Sequence, residues 1–420
     1  MLDLKAIRPD PAPVRAALAR RGDGSDERLD RALRLDERWR ELETELGELR
    51  ARRNAGAAAI GAAKQSGEDA SAAIAAMQEL SPRVKALEIE HGEIGAQLQA
   101  LIASLPNPPD PTAADSDAVV REVGEPRMPA EPVRDHLELA GGMIDMEAGA
   151  RVAGSRFAYL KGELVLLELG LVRWALDVLG GHGFEPVVPP VLVREEALFG
   201  TGFLPDTEQQ IYRLADDQLF LAGTSEVALA SLHAGELLDA GRLPLRYAGV
   251  SPCFRREAGA AGRDTRGIFR VHQFDTVEMF SFVEPDVAVA EHERLLAIEE
   301  ELLQALEIPY RVVNIAVGDL GSSAVKKYDC EAWMPSQRRY REVTSTSNTT
   351  DFQSRRLDIR SRGGDGGRPH HVATRNGAAV TWRHMIALLE NGQREDGSVA
   401  LPEVLRPWGA PALLRVGPRA

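Results

Sequence analysis

The stretch from Cys253 to Phe280, CFRREAGAAGRDTRGIFRVHQFDTVEMF, interleaves arginines, carboxylates and aromatic rings. Read as two strands joined by the loop AGAAGRDTRG, it sets residues two and four apart on one face. Arg255 then points with Glu257, and Arg270 with Phe274 and Glu278. A guanidinium at Arg255 can grip a phosphate through two parallel hydrogen bonds and a permanent charge. Phe274 offers a flat apolar surface on which a purine could stack. Glu278 falls about 13 Å beyond it at ~3.3 Å per residue, near the far end of an extended, adenylate-sized ligand. The loop carries Arg263 and Arg266. A charged hairpin with one solvated face would account for the same pattern.

Other segments add chemistry of the same kind. GTSEVAL places Thr224 and Glu226 on one face, a hydroxyl and a carboxylate suited to a small polar ligand bearing an ammonium group. REVTSTSN brings Glu342, Thr344 and Ser345 together as hard oxygen donors of the kind Mg²⁺ accepts. Arg383 opens the helix-like run RHMIALLEN, near the positive end of that helix, where phosphates are favoured. Taken singly, these segments also read as a strand edge, a polar turn and a surface arginine. The sequence has no GxxxxGK[ST], no GxGxxG after a strand, no HExxH and no paired CxxC. A phosphate site must therefore be built from arginines on antiparallel strands.

The elements that position these groups lie in two unlike regions. Ala32, Leu35, Trp39, Leu42, Leu46 and Leu49 recur at spacings of three and four, and so do Met77, Leu80, Val84, Leu87, His91, Ile94, Leu98 and Leu101. Such a repeat predicts two long helices packed as an antiparallel coiled-coil hairpin. The chain is expected to turn back within AGAAAIGAAKQSGEDA, and Pro82 to kink the second helix or mark its start. A dimerisation or spacer coil would show the same periodicity. The Pro-rich stretch LPNPPDPTAADSD, Leu105 to Asp117, marks a boundary, so the expected domains are 1–104, a linker 105–117 and 118–420. Beyond the linker, helical stretches alternate with strand-like runs such as EPVVPPVLV, QLFLAG, YRVVNIAV and AVTWRHMIAL, predicting an α+β domain. SRGGDGGRPHH reads as an exposed loop.

Composition restrains the reading. Fifty Lys and Arg against 64 Asp and Glu give a formal charge of -14, so no polycationic tail advertises nucleic acid, although local patches outweigh the total. Two cysteines, Cys253 and Cys330, are too few for a disulfide framework and are expected to be reduced, buried thiols. Glu168, Arg173 and Asp177 break the run LVLLELGLVRWALDVL, and MLDLKAIRPD lacks an apolar core, so neither a membrane span nor a signal peptide is expected.

Nearly end to end, the chain resembles the bacterial seryl-tRNA synthetases, which are class II aminoacyl-tRNA synthetases. VVPPVLV with Pro190 is similar to motif 1 of that class, CFRRE to motif 2, and AVTWRHMIALLEN to motif 3. LFGTGFLP, GTSEVAL, KKYDCEAW, REVTSTSN, DFQSRR and PEVLRPW resemble blocks of the seryl enzymes. The resemblance implies a class II antiparallel sheet flanked by helices, an N-terminal helical arm, and a cytoplasmic homodimer with no membrane association. It implies that L-serine is activated with ATP and Mg²⁺ to seryl-adenylate and passed to tRNA(Ser). Catalysis would fall to Arg255 and Arg383. The nucleotide would meet Arg255, Arg256, Glu257, Val271, Phe274, Glu342, Val343, Thr344, Ser345 and Arg383, with Mg²⁺ on Glu342 and Ser345. Serine would meet Thr224, Ser225, Glu226, Glu278 and the position of Ala378, with Glu278 receiving the ammonium.

Three features depart from the family pattern. Ala378 stands where serine or threonine is usual, Trp382 is bulkier than expected before Arg383, and the arm tip is poor in cations. Residues 1–100 hold 16 basic and 18 acidic side chains. These departures suit a specialised second copy with modest tRNA affinity. Two alternatives stay open: a homologue that activates serine or a serine-like acid for a non-tRNA acceptor, and an inactive regulatory homologue.

Overall fold

A computed structural model describes residues 1–129, 131–205, 210–258, 264, 266–363 and 367–415. They form two compact units, Leu2–Leu105 and Pro106–Ala420, with Met1 grouped with the second. The Pro-rich segment therefore packs with the larger unit from its second residue onward. Asn107 shows why, because its amide donates to Ser323 O, Thr349 O and Thr350 Oγ1.

In the smaller unit, short helices Leu4–Ile7 and Ala12–Ala19 precede two long ones, α1 (Ser25–Ser66) and α2 (Ser71–Ala103). Leu29, Ala32, Leu42, Leu46 and Leu49 of α1 and Val84, Leu98 and Ile102 of α2 are buried along their seam. Trp39 and His91 are ring neighbours at 4.9 Å. Arg38–Glu90, Arg50–Glu88 and Arg83–Glu45 bridge the helices at the seam's edge. The reversal falls within the expected small-residue stretch, at its far end. Alanine is the strongest helix former, so α1 continues through residues 55–66, and Gly67, with φ of 75°, ends it in the left-handed region. Pro82 lies inside α2, which begins well before it.

The larger unit is built on an eight-stranded sheet. Its strands in chain order are β1 (Ala118–Val123), β2 (Glu185–Val187), β3 (Leu245–Phe254), β4 (Gln273–Val283), β5 (Tyr310–Asn314), β6 (Lys326–Met334), β7 (Arg339–Asn348) and β8 (Ala373–Thr381). Their spatial order is β1-β5-β6-β7-β8-β4-β3-β2, antiparallel throughout except where β2 runs parallel to β3. Helices α3 (Glu163–Gly181), α4 (Ala288–Ala305) and α5 (Trp382–Asn391) supply Leu164, Leu171, Leu295, Leu302, Ile386 and Leu389 to one core with Val277 and Met279 of β4. The alternate β4 residues Phe274, Thr276 and Glu278 line a cavity instead. The run AVTWRHMIAL is split between two elements. It is strand as far as Thr381, whose Oγ1 accepts from Arg383 N at 3.2 Å and caps α5.

Two expectations need correcting. β3 ends at Phe254, the partner of Gln273, so Arg255 and Glu257 lie past the strand, and Glu257 has a φ of 49°. SRGGDGGRPHH is bounded by the short strands Arg360–Arg362 and His370–His371. Arg263 lies outside the described residues. No helix among the described residues is long and apolar enough to cross a membrane.

Candidate active site

The cavity gathers side chains from β4, β7, β8, the first turn of α5, the segments after β3 and before β4, and the 224–226 turn. It is lined by every site residue named from the sequence except Arg256 and Ser225. Arg256 is exposed. Ser225 is buried, its hydroxyl 2.7 Å from that of Ser251.

One end is cationic and aromatic. Arg255 Nε donates to Gly223 O at 3.0 Å, and its guanidinium lies 5.2 Å from the Phe274 ring centroid. Arg270 pairs with Glu257 at 3.3 Å. Arg383 and Arg341 both face Phe269, at 4.8 and 3.9 Å. This π-face flanked by two guanidinium groups is a strong packing motif, and the sequence reading passed over it. Burial alone would raise the Glu342 carboxyl, but Arg383 and Lys327 overcome it and hold the group at about 2.

The other end is acidic. Glu226 Oε1 accepts from Gln353 Nε2 and Asn376 Nδ2, both at 2.7 Å. Burial pushes Glu226 up to about 7. Burial and the nearby Glu226 push Glu278 to about 8, with Arg255 drawing it back. Two buried carboxyls with raised pKa values fit a ligand that brings its own positive charge. Across from Glu278, its ladder partner Ala378 presents only a methyl group. Beneath the floor, a Cβ on Gly377 would lie 2.8 Å from Glu299 Oε1, so only glycine fits there without displacing a neighbour.

Comparison with known proteins gives this arrangement a family. Residues 210–392 match the tRNA synthetase class II core domain (G, H, P, S and T), and residues 1–109 the seryl-tRNA synthetase N-terminal domain. The chain is 50% identical to the serine–tRNA ligase of Thermobifida fusca over 414 residues, covering 97% of each. The chain belongs to the seryl-tRNA synthetase family. The crystal structure of the family member from Pyrococcus horikoshii, complexed with ATP, has a TM-score of 0.92 at 41% identity and covers 98% of this chain and 99% of its own. The cytoplasmic serine–tRNA ligase of Naegleria fowleri, in complex with AMP, has a TM-score of 0.84 at 31% identity, covering 96% and 95%.

For a member of this family, Asn376 and Gln353 are the residues that sequence reading missed. They fix the Glu226 carboxylate, and the only signal for them was their place in NGAAVTWR and DFQSRR.

Proposed function

We propose that this chain activates L-serine with ATP to seryl-adenylate and transfers the seryl group to tRNA(Ser). The observation that carries this reading is the polarity of one cavity: arginines and Phe274 at one end, the Glu226 and Glu278 carboxyls at the other. The four strand steps from Phe274 to Glu278 match an aminoacyl-adenylate laid along β4.

Phe274 stacks the adenine, and Arg255 and Arg383 contact the phosphates. Glu278 receives the serine ammonium, with Glu226 and Thr224 beside it. The serine carboxylate oxygen attacks the α-phosphorus in line, a new C–O–P bond forms, and the bond to the β-phosphate oxygen breaks to release pyrophosphate. The nucleophile is already an anion, so the step needs placement and charge neutralisation rather than a general base. A terminal ribose hydroxyl of the tRNA then attacks the seryl carbonyl, loses its proton, and AMP leaves.

No cluster of three His, Cys, Asp or Glu side chains suited to a metal occurs among the described residues. The ionised Glu342 and the Ser345 hydroxyl, both facing the cavity, fit an ion such as Mg²⁺ that takes most of its oxygens from phosphates and water. Held there, it would neutralise phosphate charge.

The helical hairpin serves tRNA by shape and backbone contact, and the protein works in the cytoplasm. The chain acts as a homodimer, with Leu166 and Leu169 of α3 and Val188 after β2 as exposed apolar candidates for the interface. Serine-dependent ATP–pyrophosphate exchange together with charging of tRNA(Ser) tests the reading. Both are expected; exchange without charging would move the acceptor away from tRNA, and neither would end the proposal.

A further inference from the structure

Glu168 sits in the middle of α3, beside the buried Leu164, Leu167 and Leu171. Two polar groups from other elements meet it. Trp382 Nε1, from the first position of α5, donates to Glu168 Oε1. The Asp275 carboxyl of β4 faces Glu168 within hydrogen-bonding reach. Trp382 immediately precedes Arg383, and Asp275 immediately follows Phe274. One helix residue is thus tied to the chain neighbours of two side chains that line the cavity.

Two half-buried carboxylates that face each other repel when both are charged, whereas one shared proton joins them by an O–H···O⁻ bond. We propose that Glu168 is a positioning residue of the nucleotide site, sharing a proton with Asp275 and holding Trp382, so that Phe274 and Arg383 keep their places on the cavity wall. This rests on the ATP-binding reading above. Trp382 then has a structural purpose: its ring lines the cavity while its N–H reaches back to α3.

Burial pushes Glu168 up to about 7, with the Trp382 bond lowering it and Asp275 raising it, and burial also raises Asp275. The groups facing the pair are few. On α3, the positions one turn away are Leu164, Val165, Leu171 and Val172. Opposite lie Asp275 from β4 and the indole from α5. Below about 7 the pair holds its proton. Above that it becomes two like charges, and the wall loosens.

The test measures ATP–pyrophosphate exchange at saturating serine from pH 6 to 9. In the unaltered protein, the ATP KM is expected to climb on the order of fivefold above pH 7, with kcat changing less. Glu168→Gln, which keeps an acceptor for Trp382 and donates to Asp275, should flatten the climb. Asp275→Asn, from the other side of the pair, should flatten it too. A climb unchanged in both variants, or absent from the unaltered protein, would overturn the proposal. Tryptophan emission, taken as the difference from Trp382→Phe, should titrate with the same midpoint and lose it in Glu168→Gln. This second readout needs no turnover. If serine supports no exchange at all, the functional reading fails, while the emission titration still decides the role of Glu168.

Discussion

Arg383 and Glu342 are joined twice: Arg383 Nη1 donates to the Glu342 carbonyl and to its Oε2, each at 3.0 Å. The second contact places a carboxylate from β7 and a guanidinium from the first turn of α5 at the cationic end of the cavity, with Lys327 adding to the positive field. At about 2, the carboxyl is ionised at every working pH. Glu342→Gln should therefore leave the serine KM near its starting value. It should raise the Mg²⁺ concentration needed for half-maximal exchange by about tenfold, the order of one lost charge-assisted contact. Exchange titrated with Mg²⁺ at fixed ATP checks this; an unshifted midpoint would remove Glu342 from the metal.

Glu278 behaves in the opposite sense. Its carboxyl, at about 8, is mostly protonated at pH 7, and on the proposed reading it loses that proton when the serine ammonium binds. The kcat/KM for serine should consequently rise between pH 6.5 and 8. Glu278→Gln, unable to carry the charge, should abolish that rise and lower kcat/KM by about 10- to 100-fold, the range for a hydrogen bond to a charged group. The ATP KM should move far less. A pH profile that persists in the variant would assign the titration to another group.

Ala378, the ladder partner of Glu278, brings no hydroxyl to the cavity wall. Ala378→Ser restores one. A single added hydrogen bond is worth about 0.5–1.5 kcal/mol, so the serine KM should fall between two- and tenfold while the ATP KM holds. Discrimination against alanine should improve by a similar factor. An unchanged serine KM would mean that another side chain already serves the substrate hydroxyl.

Beneath the floor, Glu299 is fully buried and accepts from Thr344 Oγ1 at 3.1 Å. Burial raises its carboxyl well above the ordinary value. The folded protein thus holds a proton that the unfolded chain gives up near pH 4. Stability tied to this group is complete below that value and declines as pH rises toward the folded pKa. Glu299→Gln removes the penalty. The variant's Tm, compared with the unaltered protein's, should gain more at pH 8 than at pH 5. A gap independent of pH would show that Glu299 is ionised in the folded state.

How far the sequence foretold this site depends on what kind of signal each residue left. Periodicity carried the hairpin, because buried Leu46, Leu49 and Val84 must repeat at the helical interval to share a seam. It placed the turn only to within residues 55–70, because Gly56 and Gly61 are tolerated within α1 and it is Gly67, in a left-handed conformation, that ends the helix. Side-chain type carried Arg255, Glu278, Glu342 and Arg383, whose charges share one cavity. Long-range partners left no local trace. Gln353 and Asn376 reach Glu226 from 127 and 150 residues away. Glu168 read only as a charge interrupting an apolar run, since its meaning lies in Trp382, 214 residues distant.

The hairpin itself is nearly neutral, with 16 basic and 18 acidic residues in positions 1–100, and several of its arginines are spent on Glu90, Glu88 and Glu45. Arg52 and Lys64 are exposed near the tip of α1, and Arg53 is half-buried beside them. If these three contact tRNA backbone, replacing all with alanine should raise the tRNA(Ser) KM in charging while leaving serine-dependent exchange unaltered. The log–log dependence of that KM on salt should become shallower by on the order of one unit per lost phosphate contact. Exchange falling in parallel with charging would contradict the separation of tasks between the hairpin and the sheet. A salt slope that did not change would place the tRNA contacts elsewhere on the hairpin, on shape rather than on charge.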